Sequence, residues 1–244
     1  LTPGLRIGSV PYLNAEPLLD GLDVSLRIEP SRLAKALLAG EVDAAVLPVG
    51  AALQHDLRVL PSCGVASDGA VQSVFLLHDL PFQQVGTVHP DPASVSSNLL
   101  ARILVERFGS GRWDAVAPDQ PAQGRVLIGD PALALKEWRG TDLGEAWKRL
   151  AGHPFVFAAW VLGPHVPELD WPAVDALFRA AAVRGVDALD TLSRHQQVVS
   201  PARSLEYLQN LRFLLDPRYR AGMELYARHA ESLGVGSGKV RWAC

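Results

Sequence analysis

Apolar and polar positions in the first fifty residues fall into short blocks of two periods. Residues 5–10 form an apolar stretch that ends at Pro11. The pattern predicts a strand handing over to a helix that starts at residue 17, with Pro17 in its first turn. Partial alternation over residues 23–28 predicts a second strand. Residues 31–40 predict a helix with Ser31 as N-cap and Gly40 as C-cap, its apolar face carrying Leu33, Ala34, Leu37 and Leu38. The near-continuous apolar run 42–49 fits a parallel strand covered on both faces, which completes a βαβ unit with a right-handed crossover.

A second α/β unit follows. Residues 71–78 predict an apolar strand, and 97–108 a helix behind the polar run Ser94-Val95-Ser96-Ser97-Asn98. Residues 125–130 predict a strand ending on Gly129-Asp130, followed by a short helix over 131–136 and another strand over 155–162. Beyond Trp171 the period turns helical: 173–184, 205–215 and 217–233, with a glycine-rich tail at 234–238. One α/β unit thus encloses another. The fold class expected is α/β, two-lobed with an interlobe cleft, residues 1–82 and 160–244 forming one lobe and 83–159 the other. The strands at 71–78 and 155–162 are the expected crossings between them.

Composition narrows the function. The 244 residues include 48% hydrophobic and 20% charged positions, with a net charge of −3. That balance fits a globular domain and argues against nucleic acid as a partner, which needs a basic face. No run of about 18 or more apolar residues is present to cross a membrane. Cys63 and Cys244 supply neither a disulfide framework nor a four-ligand zinc site, so a reduced, cytoplasmic setting is the simpler expectation. No export leader is evident, and the missing initiator Met leaves an upstream segment open.

Candidate chemistry sits where strands hand over to helices, the place where open α/β sheets bind ligands. Ser9, Tyr12 and Asn14 stand at the first junction. Asn14 both donates and accepts hydrogen bonds, and Tyr12 offers a flat ring, although Asn is also a common helix cap. The serines at 94, 96 and 97 precede a helix whose free amides suit a carboxylate, with simple capping as the plainer reading. Gly129-Asp130 ends a strand, Asp130 serving either a ligand or a cap. Ser73 and Trp160 lie in apolar strands and are candidates to face the cleft. The seven histidines show no metal-ligand or catalytic spacing, and no glycine-rich phosphate fingerprint occurs. From these residues alone a ligand cleft is legible, but no reaction.

Residues 8–18, Gly-Ser-Val-Pro-Tyr-Leu-Asn-Ala-Glu-Pro-Leu, resemble the opening of the chorismate dehydratases of the futalosine route to menaquinone. Further similar segments follow in order at 40–49, 66–76, 127–133, 142–147 and 154–160. The resemblance implies a type II periplasmic-binding-protein-like fold, a cofactor-independent hydro-lyase without a metal, and chorismate as the small-molecule substrate. Asn14 is then the catalytic residue, while Ser9, Tyr12, Ser73, Ser96, Ser97, Gly129, Asp130 and Trp160 bind substrate. Where the family often carries a basic residue, this chain has Val95, so the place of charge neutralisation stays open. The proton acceptor is open between Asp130 and the substrate's own enolpyruvyl carboxylate, and the oligomeric state is undetermined. The main rival is a non-catalytic binding protein for a small carboxylate. The sister enzyme that forms dihydroxynaphthoate and a ligand-sensing regulatory module are more remote.

Overall fold

The computed structural model describes residues 4–195 and 198–244. Its strands in chain order are β1 (Ile7–Ser9), β2 (Val24–Arg27), β3 (Ala44–Pro48), β4 (Arg58–Ser67), β5 (Val74–Leu77), β6 (Thr87–His89), β7 (Asp114–Ala115), β8 (Gly124–Ile128), β9 (Gly140–Asp142), β10 (Phe155–Leu162), β11 (Arg212–Leu214) and β12 (Arg241–Trp242). They form two sheets. The larger has the order β11-β4-β10-β3-β1-β2, with β12 also on β4; the smaller runs β7-β6-β8-β5-β9. β1 pairs in parallel with β2 and β3, whereas β10 runs antiparallel between β3 and β4. Seven of the eight side chains of β10 are buried, as its unbroken apolar sequence requires of a central strand.

Two expectations about the lobes are corrected. The strand predicted at 71–78 is β5, which pairs antiparallel with β8 and β9 in the smaller sheet, so it does not belong with residues 1–70. Likewise β10 lies whole in the larger sheet, and a boundary at 160 would cut it. The chain passes between sheets in two short stretches, 68–73 and 152–154. A uniformly apolar strand carries no mark of the sheet it will join, because either sheet would bury it.

Local signals also yielded to context. The first helical segment is a 3₁₀ turn, Leu13–Leu18, with Pro17 inside it; so short a turn tolerates a missing amide donor. The next helix is Pro30–Leu38, entered through Glu29 with proline in its first turn, and Ser31 is not its cap. β4 was absent from the sequence pattern because Pro61 and Gly64 interrupt it. Pro61 is tolerated where the ladders lapse: β12 pairs at Arg58 and Val59, β11 at Cys63 and Ala66, and β10 skips from Val59 to Gly64. The helix predicted over 205–215 is the helix Pro201–Asn210 followed by β11.

Among the described residues the buried core is nearly continuous across both sheets. Trp147 on the helix Leu143–Ala151, Phe155 on β10 and Tyr226 on the helix Pro217–Glu231 meet edge to face, with centroids 5.0–6.2 Å apart. This aromatic knot ties the helix Pro217–Glu231 to the helix Leu143–Ala151 and to β10 of the larger sheet. No helix among the described residues is long and apolar enough to cross a membrane.

Candidate active site

A cavity of about 70 Å³ lies between the two sheets. Its polar lining is Tyr12, Asn14, Ser73, Ser94, Ser96 and Ser97, set among apolar side chains from both halves. Among the described residues no lysine, arginine, histidine, aspartate or glutamate lines it. The carboxyl ends of β1, β3 and β8 contribute Val10, Pro48 and Ile128 to the wall, and the helical segments that follow each strand start there.

Asn14, half-buried in the first helical turn, donates through Nδ2 to the Tyr207 hydroxyl at 3.2 Å. Tyr207 in turn lies 2.8 Å from Ser73 Oγ. Tyr12 stands at the mouth, its hydroxyl donating to Glu29 at 3.2 Å. Burial, with the negative charge of Glu29, Asp91 and Asp130 around it, pushes that phenol up to about 12. Gly129 opens the helix Gly129–Leu133 at φ +66°, a conformation that favours glycine, and its amide donates to the Ser73 carbonyl at 2.8 Å.

The serine run starts the fourteen-residue helix Val95–Phe108. Ser94 is the N-cap, its hydroxyl accepting from the Ser97 amide at 3.1 Å. Ser96 reaches across the cleft, where its hydroxyl accepts from the Gly50 amide at 2.6 Å, while its carbonyl accepts from Tyr226 at 3.0 Å. The Ser96 hydroxyl hydrogen remains to be donated. The positive end of this helix therefore faces a cavity lined by no cationic side chain of the described residues, a setting suited to a carboxylate.

Of the residues singled out in the sequence, Tyr12, Asn14, Ser73, Ser96, Ser97 and Gly129 line the cavity. Three do not. Ser9 is fully buried in β1, its hydroxyl turned to the Val10 carbonyl while Val10 itself lines the wall. Trp160 is fully buried in the larger sheet and stacks on Phe178 with centroids 3.8 Å apart; Phe157 and Ala158, nearer the strand's start, reach the cavity instead. Asp130 sits beside the cavity inside the helix Gly129–Leu133, where burial raises its pKa against a hydrogen bond from the Leu13 amide. Sequence reasoning missed Tyr207, which carries no motif and reaches the site from the C-terminal third. Ser94, named in the serine run but not among the substrate-binding residues, is the cap and lines the cavity as well. Among the described residues no cluster of His, Cys, Asp and Glu is arranged to hold a metal ion.

A family model described as menaquinone biosynthesis matches residues 5–232. The chain is 27% identical over 263 aligned positions to a chorismate dehydratase of Thermus thermophilus, covering 94% of this chain and 95% of that one. Among solved structures, a protein of Archaeoglobus fulgidus superposes with a TM-score of 0.71 at 13% identity, over 94% of this chain and 97% of its own. The alkanesulfonate-binding protein SsuA of Xanthomonas axonopodis pv. citri, bound to MOPS, gives 0.62 at 12% identity, over 97% and 95%. A Candida albicans protein described as having the generic periplasmic binding protein fold gives 0.53 at 12% identity, over 98% and 97%. At such identities the likeness establishes the fold alone, and that fold is the periplasmic-binding-protein type.

Proposed function

The chain belongs to the menaquinone-biosynthesis family, and from that premise we propose that it is a chorismate dehydratase. It would remove water from chorismate to give 3-[(1-carboxyvinyl)oxy]benzoate, as a cytoplasmic lyase that needs no cofactor. The observation that carries this reading is the cleft between the two sheets where Asn14, Ser73 and the start of the helix Val95–Phe108 converge from three distant parts of the chain.

Chorismate carries two carboxylates, a hydroxyl at C4 and a ring proton at C3. Loss of the C3 proton sends charge through the diene to the ring carboxylate. Departure of the C4 oxygen, with a proton, then yields water and an aromatic ring. The aromatic product supplies the driving force, so the protein's part is to hold geometry and stabilise developing charge. We assign the ring carboxylate to the Ser96 and Ser97 helix start, where donors meet the charge as it builds up. Asn14 is assigned to the C4 hydroxyl and the neighbouring enolpyruvyl carboxylate, and Ser73 to the same polar corner. Because no carboxylate or imidazole of the described residues lines the cavity, the substrate's own enolpyruvyl carboxylate is the proposed proton acceptor, in preference to Asp130. Exclusion of water by the closed lobes favours the elimination.

Incubation of the purified protein with chorismate, followed by absorbance and mass, tests the reading. An aromatic product lighter by one water is expected. Tight binding of chorismate without turnover would favour a carboxylate-binding protein on the same fold.

A further inference from the structure

We propose that Tyr207 is a positioning residue for the cavity, holding the Asn14 carboxamide and the Ser73 hydroxyl in a single orientation. The kinetic part of this proposal rests on the dehydratase reading, and its structural part does not. The helix Pro201–Asn210 lies along the crossing segment 70–73 and touches it at three places. Arg203 Nη1 donates to Gln72 Oε1 at 2.9 Å, Tyr207 meets Ser73 at 2.8 Å, and Asn210 Nδ2 donates to the Ala70 carbonyl at 2.6 Å. Positions 203, 207 and 210 share one helix face, so a single rigid element reads the segment residue by residue.

The segment needs such support. Gln72 has φ +66°, a left-handed conformation that a side-chain-bearing residue adopts only at a cost. From the opposite side the buried Asp142 carboxylate accepts the Val71 and Gln72 amides at 2.8–3.1 Å. Ser73 is thus presented to the cavity by backbone held from both sheets.

Tyr207 itself is 1% exposed, and among the described residues its hydroxyl has two partners, Asn14 and Ser73. A phenol has one hydrogen. In this orientation of the carboxamide Asn14 Nδ2 occupies a lone pair of the oxygen, so the hydrogen has Ser73 Oγ as its acceptor; donation from Ser73 instead would leave the buried phenol hydrogen unpaired. Burial pushes this phenol up to about 12 although the bonds to Ser73 and Asn14 act the other way, and the hydrogen stays in place at neutral pH. Two consequences reach the cavity. The Ser73 hydroxyl, already accepting, turns its own hydrogen toward a ligand. Asn14, with one Nδ2 hydrogen on Tyr207, is held in one orientation and presents Oδ1 as an acceptor and the second Nδ2 hydrogen as a donor.

Tyr207→Phe removes the oxygen and keeps the ring, and two measurements on the full chain decide its role. In ligand-free protein the side-chain amide signals of Asn14, identified by their loss in Asn14→Ala, should move toward free-amide positions in Tyr207→Phe. Unchanged signals would overturn the proposal. With chorismate, kcat should fall about tenfold or more while KM stays within about threefold, and the substitution should add little in an Asn14→Ala background. A full additional loss in that background marks a structural role and also overturns it. If the wild-type protein leaves chorismate unchanged, the dehydratase reading falls, and the Asn14 signals alone decide the case of Tyr207.

Discussion

Gly50 and Ser96 meet across the cleft: the Gly50 amide donates to Ser96 Oγ at 2.6 Å, and a Cβ on Gly50 would stand 2.9 Å from Ser96 Cα. The contact joins the start of one helix in the larger lobe to the start of another in the smaller. A methyl at Gly50 meets backbone there and has no flexible neighbour to displace. Gly50→Ala should hold the lobes apart and raise KM for chorismate roughly ten- to a hundredfold, since small misplacements of a bound substrate carry large kinetic costs. Small-angle scattering should report a larger radius of gyration for the variant. An unchanged curve with an unchanged KM would remove this contact from lobe closure.

Asn14→Ala should lower kcat by about 10²–10³, the range seen when one donor to developing charge is removed. The fold should survive, because Asn14 is half-buried and among the described residues its side chain makes one hydrogen bond, worth about 1 kcal/mol. Circular dichroism and a melting curve accompany the kinetics. Wild-type turnover in this variant would exclude Asn14 from the chemistry.

Trp160→Phe separates packing from binding. The indole is fully buried and stacked on Phe178, away from the cavity wall, and among the described residues its Nε1 has no hydrogen-bond partner. KM for chorismate should be unaltered. Stability should fall by about 1–2 kcal/mol, less than the loss from truncation to alanine. In a chain of this length that shifts Tm by roughly 2–8 °C. A raised KM with an unaltered Tm would return Trp160 to the binding site.

Asp43 makes stability depend on pH. Its carboxylate accepts from the Arg6 amide and guanidinium at 2.6–3.2 Å and meets His165 Nε2 at 2.7 Å. Burial would raise its pKa, but the Arg6 bonds, joined by that of His165, prevail and hold it at about 2 against an ordinary 3.8. The unfolded chain takes up this proton first as pH falls. The contribution is therefore complete above about 4 and is lost as pH drops through about 2. Urea unfolding at pH 7, 4 and 2.5 should show Asp43→Asn less stable at neutral pH and less sensitive to acid. A variant as acid-sensitive as the wild type would place the effect elsewhere.

Much of the site was legible because it is built at helix starts. Caps and strand ends leave a local signature, and Tyr12, Asn14, Ser96, Ser97 and Gly129 all lie where such a signature stands. Ser73 was legible as a polar residue in an apolar strand. The errors at Ser9 and Trp160 share one cause: alternation along a strand does not say how far along it the cavity extends. Asp130 was placed at the correct junction, yet it turned toward the Leu13 amide rather than the cavity.

By itself the amino-acid order determined the α/β class, most element positions and the junctions at which polar groups gather. Those properties follow from contacts a few residues apart. Tertiary structure decided which sheet received β5, why Pro61 could sit in a strand, and which side chains meet over the ligand cavity. Asn14 and Tyr207 lie 193 positions apart, and Ser73 and Tyr207 lie 134 apart. Such pairings depend on how two sheets dock and how a C-terminal helix packs against the crossing chain, and no local periodicity encodes that docking.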